Sequence, residues 1–215
     1  MKDINLANMA WTPIGNVKDY PSKTFAGTFD GQEHTIFNMY AVDRTSNYAS
    51  AGLFGSITGI VKNVTVANAT VISNHYAGVI CGFSSANVGM QIINCKVLNS
   101  SVTSTPEIIG TAWDNGDKAG GIIGYCVSGD TVSGNIVENT TIKGYRDLGG
   151  IVGCAAGNIT GNTVKNVTII CNREHDYKNY GAVQSKYNLN IIVGRQESGI
   201  SLGSNTEEGT NTIIF

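Results

Sequence analysis

The chain has 215 residues, a formal net charge of -2 at pH 7 and only 14% charged residues, against roughly 25% in ordinary globular domains. Without a surplus of basic residues it lacks the electrostatic footprint of a nucleic-acid-binding protein, and no apolar run approaches the roughly 18 residues of a membrane-spanning helix. It contains 27 glycines and 3 prolines, and no stretch keeps apolar residues at helical spacing over several turns, so the sequence predicts an all-β protein.

Residues 1–48 differ from the rest of the chain. The segment Asp3-Ile4-Asn5-Leu6 alternates polar and apolar residues as a strand does, and Asp30-Gly31 is a strong turn signal. The segment is also rich in aromatic residues, namely Trp11, Tyr20, Phe25, Phe29 and Phe37. The first coil of a solenoid exposes its core and an open strand edge unless something covers them, so we expect this segment to be an N-terminal capping unit.

Residues 49–183 repeat an apolar pair flanked by small residues, first seen as Gly52-Leu53-Phe54-Gly55. The four copies close on Gly55, Gly82, Gly124 and Gly153, which lie 27, 42 and 29 residues apart. An internal period in this range indicates a solenoid. Together with short strand-like segments, it predicts one domain over residues 1–215, folded as a right-handed parallel β-helix. A β-sandwich is the competing all-β fold, but it does not explain a single strand pattern that recurs.

Each repeat also carries an asparagine inside a short predicted strand, as in Val61-Lys62-Asn63-Val64-Thr65-Val66. The recurring residues are Asn38, Asn63, Asn94, Asn139 and Asn166. We expect them to share one register and to form a ladder in which each side-chain amide bonds the next. Asn68 lies five residues after Asn63, and Gly144 lies five after Asn139. An exchange of asparagine for glycine at one position predicts a backbone with positive φ, which these two residues tolerate best.

Five cysteines cannot all pair with one another. Cys81 falls where the other repeats have Phe54, Ile123 and Val152, and Cys95 falls where they have Val64 and Val167. The cysteines are therefore predicted to be small buried core residues. Their spacing does not match zinc-binding pairs, and we expect neither a metal nor a cofactor.

Two insertions and a tail interrupt the period. Residues 103–118 lengthen the third interval, and residues 171–180 lengthen the last predicted coil. Residues 184–215 lose most of the motif, although Asn190-Ile191-Ile192-Val193-Gly194 is still typical of a strand. We expect this tail to close the C-terminal end.

The loops just before each glycine-flanked pair occupy the same point of the period, so they are expected to stack along one edge of the solenoid. They supply the candidate ligand-binding residues Tyr48, His75, Tyr76, Trp113, Tyr145, Arg146, Asp147, His175, Asp176 and Tyr177. Aromatic rings with hydrogen-bonding neighbours are suited to sugars or to a partner surface. The simpler interpretation is that loops are polar and that their aromatic rings pack over the coil edges.

No residue is assigned a catalytic role, and the chain is predicted not to be an enzyme. The alternative is a carbohydrate-active β-helix enzyme, a polysaccharide lyase or a glycosidase, which needs clustered carboxylates or a carboxylate with a basic residue. Asp117, Asp147 and Asp176 each precede a glycine-flanked pair or its remnant, but they lie on loops of different length.

The chain resembles the GLUG-repeat family of bacterial surface proteins over roughly residues 1–170. The residues that carry the resemblance are Trp11-Thr12-Pro13-Ile14-Gly15, Gly27-Thr28-Phe29-Asp30-Gly31 with His34-Thr35-Ile36, Ala51-Gly52-Leu53-Phe54-Gly55, Ala119-Gly120-Gly121-Ile122-Ile123-Gly124 and Leu148-Gly149-Gly150-Ile151-Val152-Gly153. Val79 departs from the pattern at a position where glycine is common. The resemblance implies an adhesin-like β-helical module, extracellular or on the bacterial cell surface. The stacked loops lead us to expect a glycan or a host surface protein as its partner.

Overall fold

The computed structural model describes residues 2–15, 23–45, 48–85, 89–105, 118–172 and 188–215. All regular secondary structure within these ranges is β-strand, as the composition predicts. None of these residues belongs to a helix that could cross a membrane.

The strands are two to four residues long and follow one another around successive coils. The N-terminal segment begins with β1 (Ile4–Asn5) and β2 (Ala10–Trp11). Coil 1 contains β3 (Thr28–Asp30), β4 (Thr35–Phe37) and β5 (Tyr40–Asp43). Coil 2 contains β6 (Ser50–Ala51), β7 (Phe54–Ile57), β8 (Ile60–Lys62), β9 (Thr65–Ala67) and β10 (Thr70–Ser73). Coil 3 contains β11 (Tyr76–Gly78), β12 (Cys81–Ser84), β13 (Gln91–Ile93), β14 (Lys96–Leu98) and β15 (Ser101–Ser104).

The later coils repeat the same five-strand plan. Coil 4 contains β16 (Lys118–Gly120), β17 (Ile123–Cys126), β18 (Thr131–Ser133), β19 (Ile136–Glu138) and β20 (Thr141–Gly144). Coil 5 contains β21 (Asp147–Gly149), β22 (Val152–Ala155), β23 (Asn158–Thr160), β24 (Thr163–Lys165) and β25 (Thr168–Cys171). Coil 6 contains β26 (Asn188–Asn190), β27 (Val193–Gln196), β28 (Ser201–Gly203), β29 (Thr206–Glu208) and β30 (Thr212–Ile214).

Strands at the same point of successive coils pair into five sheets, which we number by their order along a coil. Sheet I is β6-β11-β16-β21-β26, sheet II is β7-β12-β17-β22-β27, sheet III is β3-β8-β13-β18-β23-β28, sheet IV is β1-β4-β9-β14-β19-β24-β29 and sheet V is β2-β5-β10-β15-β20-β25-β30. Every pairing between these described strands is parallel and in register. The predicted parallel β-helix is confirmed.

Apolar ladders fill the interior, because each inward position meets its equivalent one coil away. In sheet II the predicted alignment of Cys81 with Phe54, Ile123 and Val152 is confirmed, and Val193 extends this ladder. All five cysteines are buried and unbonded to one another, as predicted. Such stacking gives each side chain apolar neighbours above and below, and this burial is the main stabilising term of the fold.

The prediction that the five asparagines share one register is wrong. Asn63 and Asn94 follow strands of sheet III, whereas Asn38 and Asn166 follow strands of sheet IV. Each coil therefore turns twice, five residues apart, with a residue of positive φ at both turns. The sheet III turns hold Asn63, Asn94, Gly134 and Gly161, and the sheet IV turns hold Asn38, Asn68, Asn99, Asn139 and Asn166, with φ between 50° and 65°.

The sequence does not distinguish the two turns, because their backbone conformations favour the same residue types. The glycines that replace asparagine are Gly134 and Gly161 at the sheet III turns and Gly209 at the sheet IV turn of coil 6, whereas Gly144 lies in β20 opposite Cys171. Cys95 accordingly aligns with Val64 at the sheet III turn and not with Val167. The amide ladder itself exists along the sheet IV turns, where Asn139 Nδ2 donates to Asn99 Oδ1 and Asn166 Nδ2 donates to Asn139 Oδ1, both over 3.2 Å.

A second, buried amide ladder lies just after the sheet III turns. Asn135 Nδ2 donates to Asn162 Oδ1, and Asn162 Nδ2 donates to Asn205 Oδ1, both over 3.0 Å. The same oxygens accept backbone N–H groups from the preceding coil. These side chains satisfy backbone groups that the turn would otherwise leave unbonded inside the protein.

Residues 188–214, which the sequence predicts to close the C-terminal end, form coil 6 and pair in register with coil 5 on all five sheets. Asn190 to Gly194 thus repeat the glycine-flanked pair of the earlier coils. The N-terminal residues also join the solenoid, since β1 and β2 pair with β4 and β5, and Trp11 packs against the apolar core.

Candidate functional site

A ladder of glycines marks a sharp bend between sheets I and II. It consists of Gly55, Gly82, Gly124, Gly153 and Gly194. A Cβ on Gly153 would lie 2.7 Å from the backbone nitrogen of Ala119 in sheet I and 2.7 Å from the carbonyl oxygen of Gly124. Only glycine therefore allows the two sheets to approach so closely, and the side chains on either side of the bend face each other.

Two rows of side chains meet across this bend. Sheet I supplies the first residue of each strand, namely Ser50, Tyr76, Lys118, Asp147 and Asn188. Sheet II supplies the residue after each ladder glycine, namely Ser56, Phe83, Tyr125, Cys154 and Arg195. Seven of the side chains in these two rows, together with Glu197, form what we call the corner cluster: Tyr76, Phe83, Lys118, Tyr125, Asp147, Cys154, Arg195 and Glu197.

Aromatic rings occupy the part of the bend nearest the N-terminus. The ring centroids of Tyr76 and Phe83 lie 4.7 Å apart, and those of Phe83 and Tyr125 lie 5.6 Å apart. Two further rings extend this row, because His75 packs edge-on against Tyr76 at 4.0 Å and Tyr48 packs against His75 at 5.9 Å. The rings form a continuous row over three coils, in which His75 and Tyr76 are buried and Tyr48 is largely exposed.

Lys118 joins the aromatic part of the cluster to its charged part. Its Nζ lies 5.4 Å from the ring centroid of Tyr76 and 5.5 Å from that of Tyr125, within the range of cation–π attraction. The residue is only 2% exposed. Burial lowers the pKa of Lys118, and the nearby charge of Asp147 offsets part of that effect.

Arg195 organises the charged part of the cluster. Its guanidinium donates to Glu197 Oε1 over 2.7 Å and to Cys154 Sγ over 3.1 Å, and it lies 3.3 Å from Asp147 Oδ2. Tyr125 Oη donates to the second Glu197 oxygen over 3.0 Å. Asn188 Nδ2 holds the other Asp147 oxygen at 2.8 Å. The three charged side chains are thus fixed by contacts from three different coils.

The two carboxylates differ in their protonation behaviour. Burial raises the pKa of Asp147, and the hydrogen bond from Asn188 and the charge of Arg195 reduce that rise. Burial also tends to raise the pKa of Glu197, but the hydrogen bonds from Tyr125 and Arg195 outweigh this effect and hold the pKa below its ordinary value. Burial raises the pKa of the Cys154 thiol to about 12, so this group remains protonated at neutral pH.

The structure brings together several of the predicted ligand-binding residues but places most of them below the surface. Tyr48, His75 and Tyr76 are neighbours, and only Tyr48 is largely exposed, at 63%. Tyr145 and Asp147 are buried, and Arg146 is half-buried. Trp113, His175, Asp176 and Tyr177 lie outside the described residues, as do Asp117 and most of both insertions.

The corner also contains residues that the sequence interpretation missed: Phe83, Lys118, Tyr125, Cys154, Arg195 and Glu197. A signal for four of them was present, because Phe83, Tyr125, Cys154 and Arg195 each directly follow a ladder glycine. Within the described residues, His, Cys, Asp and Glu side chains form no group of three or more that could hold a metal ion.

Comparison with known proteins gives one informative similarity. The chain is 33% identical over 114 residues to Halomucin from Haloquadratum walsbyi, and the aligned stretch covers 52% of this chain but 1% of that protein. No family model matches the chain, and no solved structure matches it.

Proposed function

We propose that this chain is a non-enzymatic, adhesin-like binding module of a secreted or cell-surface protein, and that the corner cluster contacts a glycan or a host surface protein. The observation that carries the proposal is the aromatic row in the bend, which continues into a fixed Arg195–Glu197 pair. Phe83, Tyr125 and the side chains of Arg195 and Glu197 are partly exposed.

The chemistry of the row suits a sugar or a protein surface. Aromatic rings offer a large apolar face with little conformational entropy to lose, and arginine and glutamate offer hydrogen bonds next to it. The buried residues behind them hold the exposed ones in place. A surface that is already ordered loses less entropy on binding, so even a shallow site can achieve useful affinity.

Two similarities support a location outside the cell. Half of the chain is similar to Halomucin. The N-terminal motif and the repeated glycine-flanked pairs resemble the GLUG repeats of bacterial surface proteins. We propose that this chain is related to those proteins. A regular solenoid also suits a surface protein, because identical coils can be added without changing the fold.

Binding to a glycan array and to immobilised host-surface glycoproteins tests this function. Phe83→Ala and Tyr48→Ala are each expected to weaken binding about tenfold, the equivalent of roughly 1.4 kcal/mol. Lys165→Ala, an exposed substitution on sheet IV, serves as the control and is expected to bind normally. Equal binding by all three variants would show that the corner cluster is not the binding site. The absence of any ligand for the wild-type protein would contradict the proposed function itself.

One specific observation favours the alternative function, that of a polysaccharide lyase or glycosidase. Asp147 and Glu197 flank Arg195, and their pKa values are displaced in opposite directions, as in acid–base pairs. Asp147 is completely buried, however, which argues against contact with a substrate. A turnover assay on pectin, hyaluronan and host glycans discriminates the two functions. Products that disappear in both Asp147→Asn and Glu197→Gln would favour the enzyme.

A further inference from the structure

Sheet I places a lysine and an aspartate side by side in the bend. Lys118 is the first residue of β16, and Asp147 is the first residue of β21, which pairs with β16 in register. Paired strands lie about 4.8 Å apart, so the two side chains leave the backbone as direct neighbours. Both turn towards sheet II, because Lys118 Nζ lies 5.5 Å from the ring centroid of Tyr125 and Asp147 Oδ2 lies 3.3 Å from the guanidinium of Arg195. The fold thus holds an amine and a carboxyl group close together.

The surroundings of this pair favour its uncharged form. Lys118 and Asp147 are both buried, and the rings of Tyr76 and Tyr125 lie beside the amine. Burial lowers the pKa of Lys118 and raises the pKa of Asp147, although the charge of each residue offsets part of the shift of the other. Both shifts act towards a neutral amine and a protonated carboxyl group. These are the two forms that can condense with each other.

Two neighbouring side chains hold the carboxyl group of Asp147 in a fixed orientation. Asn188 Nδ2 donates to Oδ1 over 2.8 Å, and the Arg195 guanidinium lies beside Oδ2. A carboxyl oxygen gains negative charge when a nucleophile adds to the carboxyl carbon, so groups at these two positions stabilise the addition. The paired strands of sheets I and II position all four side chains before any reaction. Such positioning raises the effective concentration of the amine at the carboxyl group by orders of magnitude.

We propose that Lys118 and Asp147 condense to form an intramolecular isopeptide bond. Lys118 Nζ attacks Asp147 Cγ, and a new C–N bond forms while the bond from Cγ to one carboxyl oxygen breaks. That oxygen leaves as water, with the carboxyl proton and one proton of the amine, so the step consumes no other reactant. The product is a neutral amide that joins coil 4 covalently to coil 5 within the corner cluster. This modification does not depend on the ligand proposed above.

Mass spectrometry of the intact, denatured chain tests the bond. The mass of the wild-type protein is expected to fall short of the mass of its sequence by one water molecule. Tandem mass spectrometry of a proteolytic digest should then identify a branched peptide that joins Lys118 to Asp147. A mass equal to that of the unmodified sequence would overturn the inference, and so would a branched peptide that joins other residues.

Lys118→Arg provides an independent second measurement, because a guanidinium group does not condense with a carboxyl group. This variant is expected to have the full mass of its sequence. It also excludes a succinimide at Asp30-Gly31, which loses one water molecule as well but does not need Lys118. Lys165→Arg, at an exposed lysine that pairs with Glu138, is the matched control and should still lack one water molecule.

A Lys118→Arg protein that lacks one water molecule would contradict the proposal. The peptide map is made on the wild-type protein, so it decides the question even where Lys118→Arg does not fold. Glycan binding is measured separately, and the isopeptide bond and the proposed function can therefore fail independently of each other.

Discussion

Asp130 shows how a single buried carboxylate joins two coils. One oxygen accepts the backbone N–H of Met90 over 3.0 Å, and the other accepts the backbone N–H of Val127 over 2.9 Å and the Ser84 hydroxyl. Burial raises the pKa of Asp130, and these three bonds offset part of the rise. The side chain thus fixes the corner between sheets II and III at the cost of a charge taken out of water.

This environment predicts a pH dependence of stability with a definite sign. The unfolded carboxyl titrates near 3.8, and the folded one titrates higher. Between those two values the folded state binds more protons, so the contribution of Asp130 to the free energy of unfolding falls as the pH rises through that window. Asp130→Asn lacks this titration.

Urea unfolding of both proteins from pH 3.5 to 7 measures the effect. The stability of the wild type minus that of Asp130→Asn should decline above pH 3.8 and level off beyond the folded pKa of Asp130. A difference that is constant or that increases over this range contradicts the assignment.

At the scale of the strands, the glycine ladder sets the distance between sheets I and II. At Gly153 the three atoms nearest to an added Cβ all belong to the backbone, so an added methyl group has no flexible side chain to displace. The same ladder positions Phe83, Tyr125 and Arg195 opposite the sheet I row. The geometry of the candidate site therefore depends on residues that have no side chains.

Gly153→Ala tests this dependence. The new Cβ would meet the Ala119 nitrogen and the Gly124 oxygen at 2.7 Å, so we expect the free energy of unfolding to fall by about 1–3 kcal/mol, as in other overpacked sites. Chemical denaturation measures it. Gly203→Ala on β28 is the control, because its Cβ would make only an ordinary contact with Thr160 at 3.5 Å. Equal stability losses in the two variants would mean that the bend tolerates a side chain.

The stability of the whole molecule comes from the stacking of its coils. The last described coil, coil 6, departs from the apolar pattern at one inward position. Glu207 on β29 occupies the register of Val164, Val137, Val97 and Val66 in sheet IV. An inward-pointing charge on an edge strand discourages another chain from pairing with it. Around it, Leu202 and Ile214 of coil 6 remain 44% and 46% exposed.

Replacing this charge should change the association of the protein. Glu207→Val completes the apolar ladder, and we expect it to increase concentration-dependent self-association, measured by analytical ultracentrifugation. Glu208→Val, one residue further along the same strand and outside the inward register, is the control and should have a smaller effect. A strictly monomeric Glu207→Val at high concentration would show that the charge has no protective role.

The sequence alone determined the solenoid, because a parallel β-helix repeats its inward residues and turn residues along the chain. The alignment of Cys81 with Phe54 and Ile123 needed no tertiary information, since equivalent positions of a periodic structure must stack. The positive φ at the turns also followed from the local preference of asparagine and glycine.

Only the tertiary structure decided which turn belonged to which ladder and which side chains met across the bend. Asn63 and Asn166 have similar local sequences but lie on different sheets, because two turns of each coil favour the same residues. Phe83 and Arg195 are 112 residues apart in sequence and share one row only through the register of three intervening pairings. The burial of His75, Tyr145 and Asp147 was equally hidden, because exposure depends on what the neighbouring coils place over a residue and not on its own sequence context.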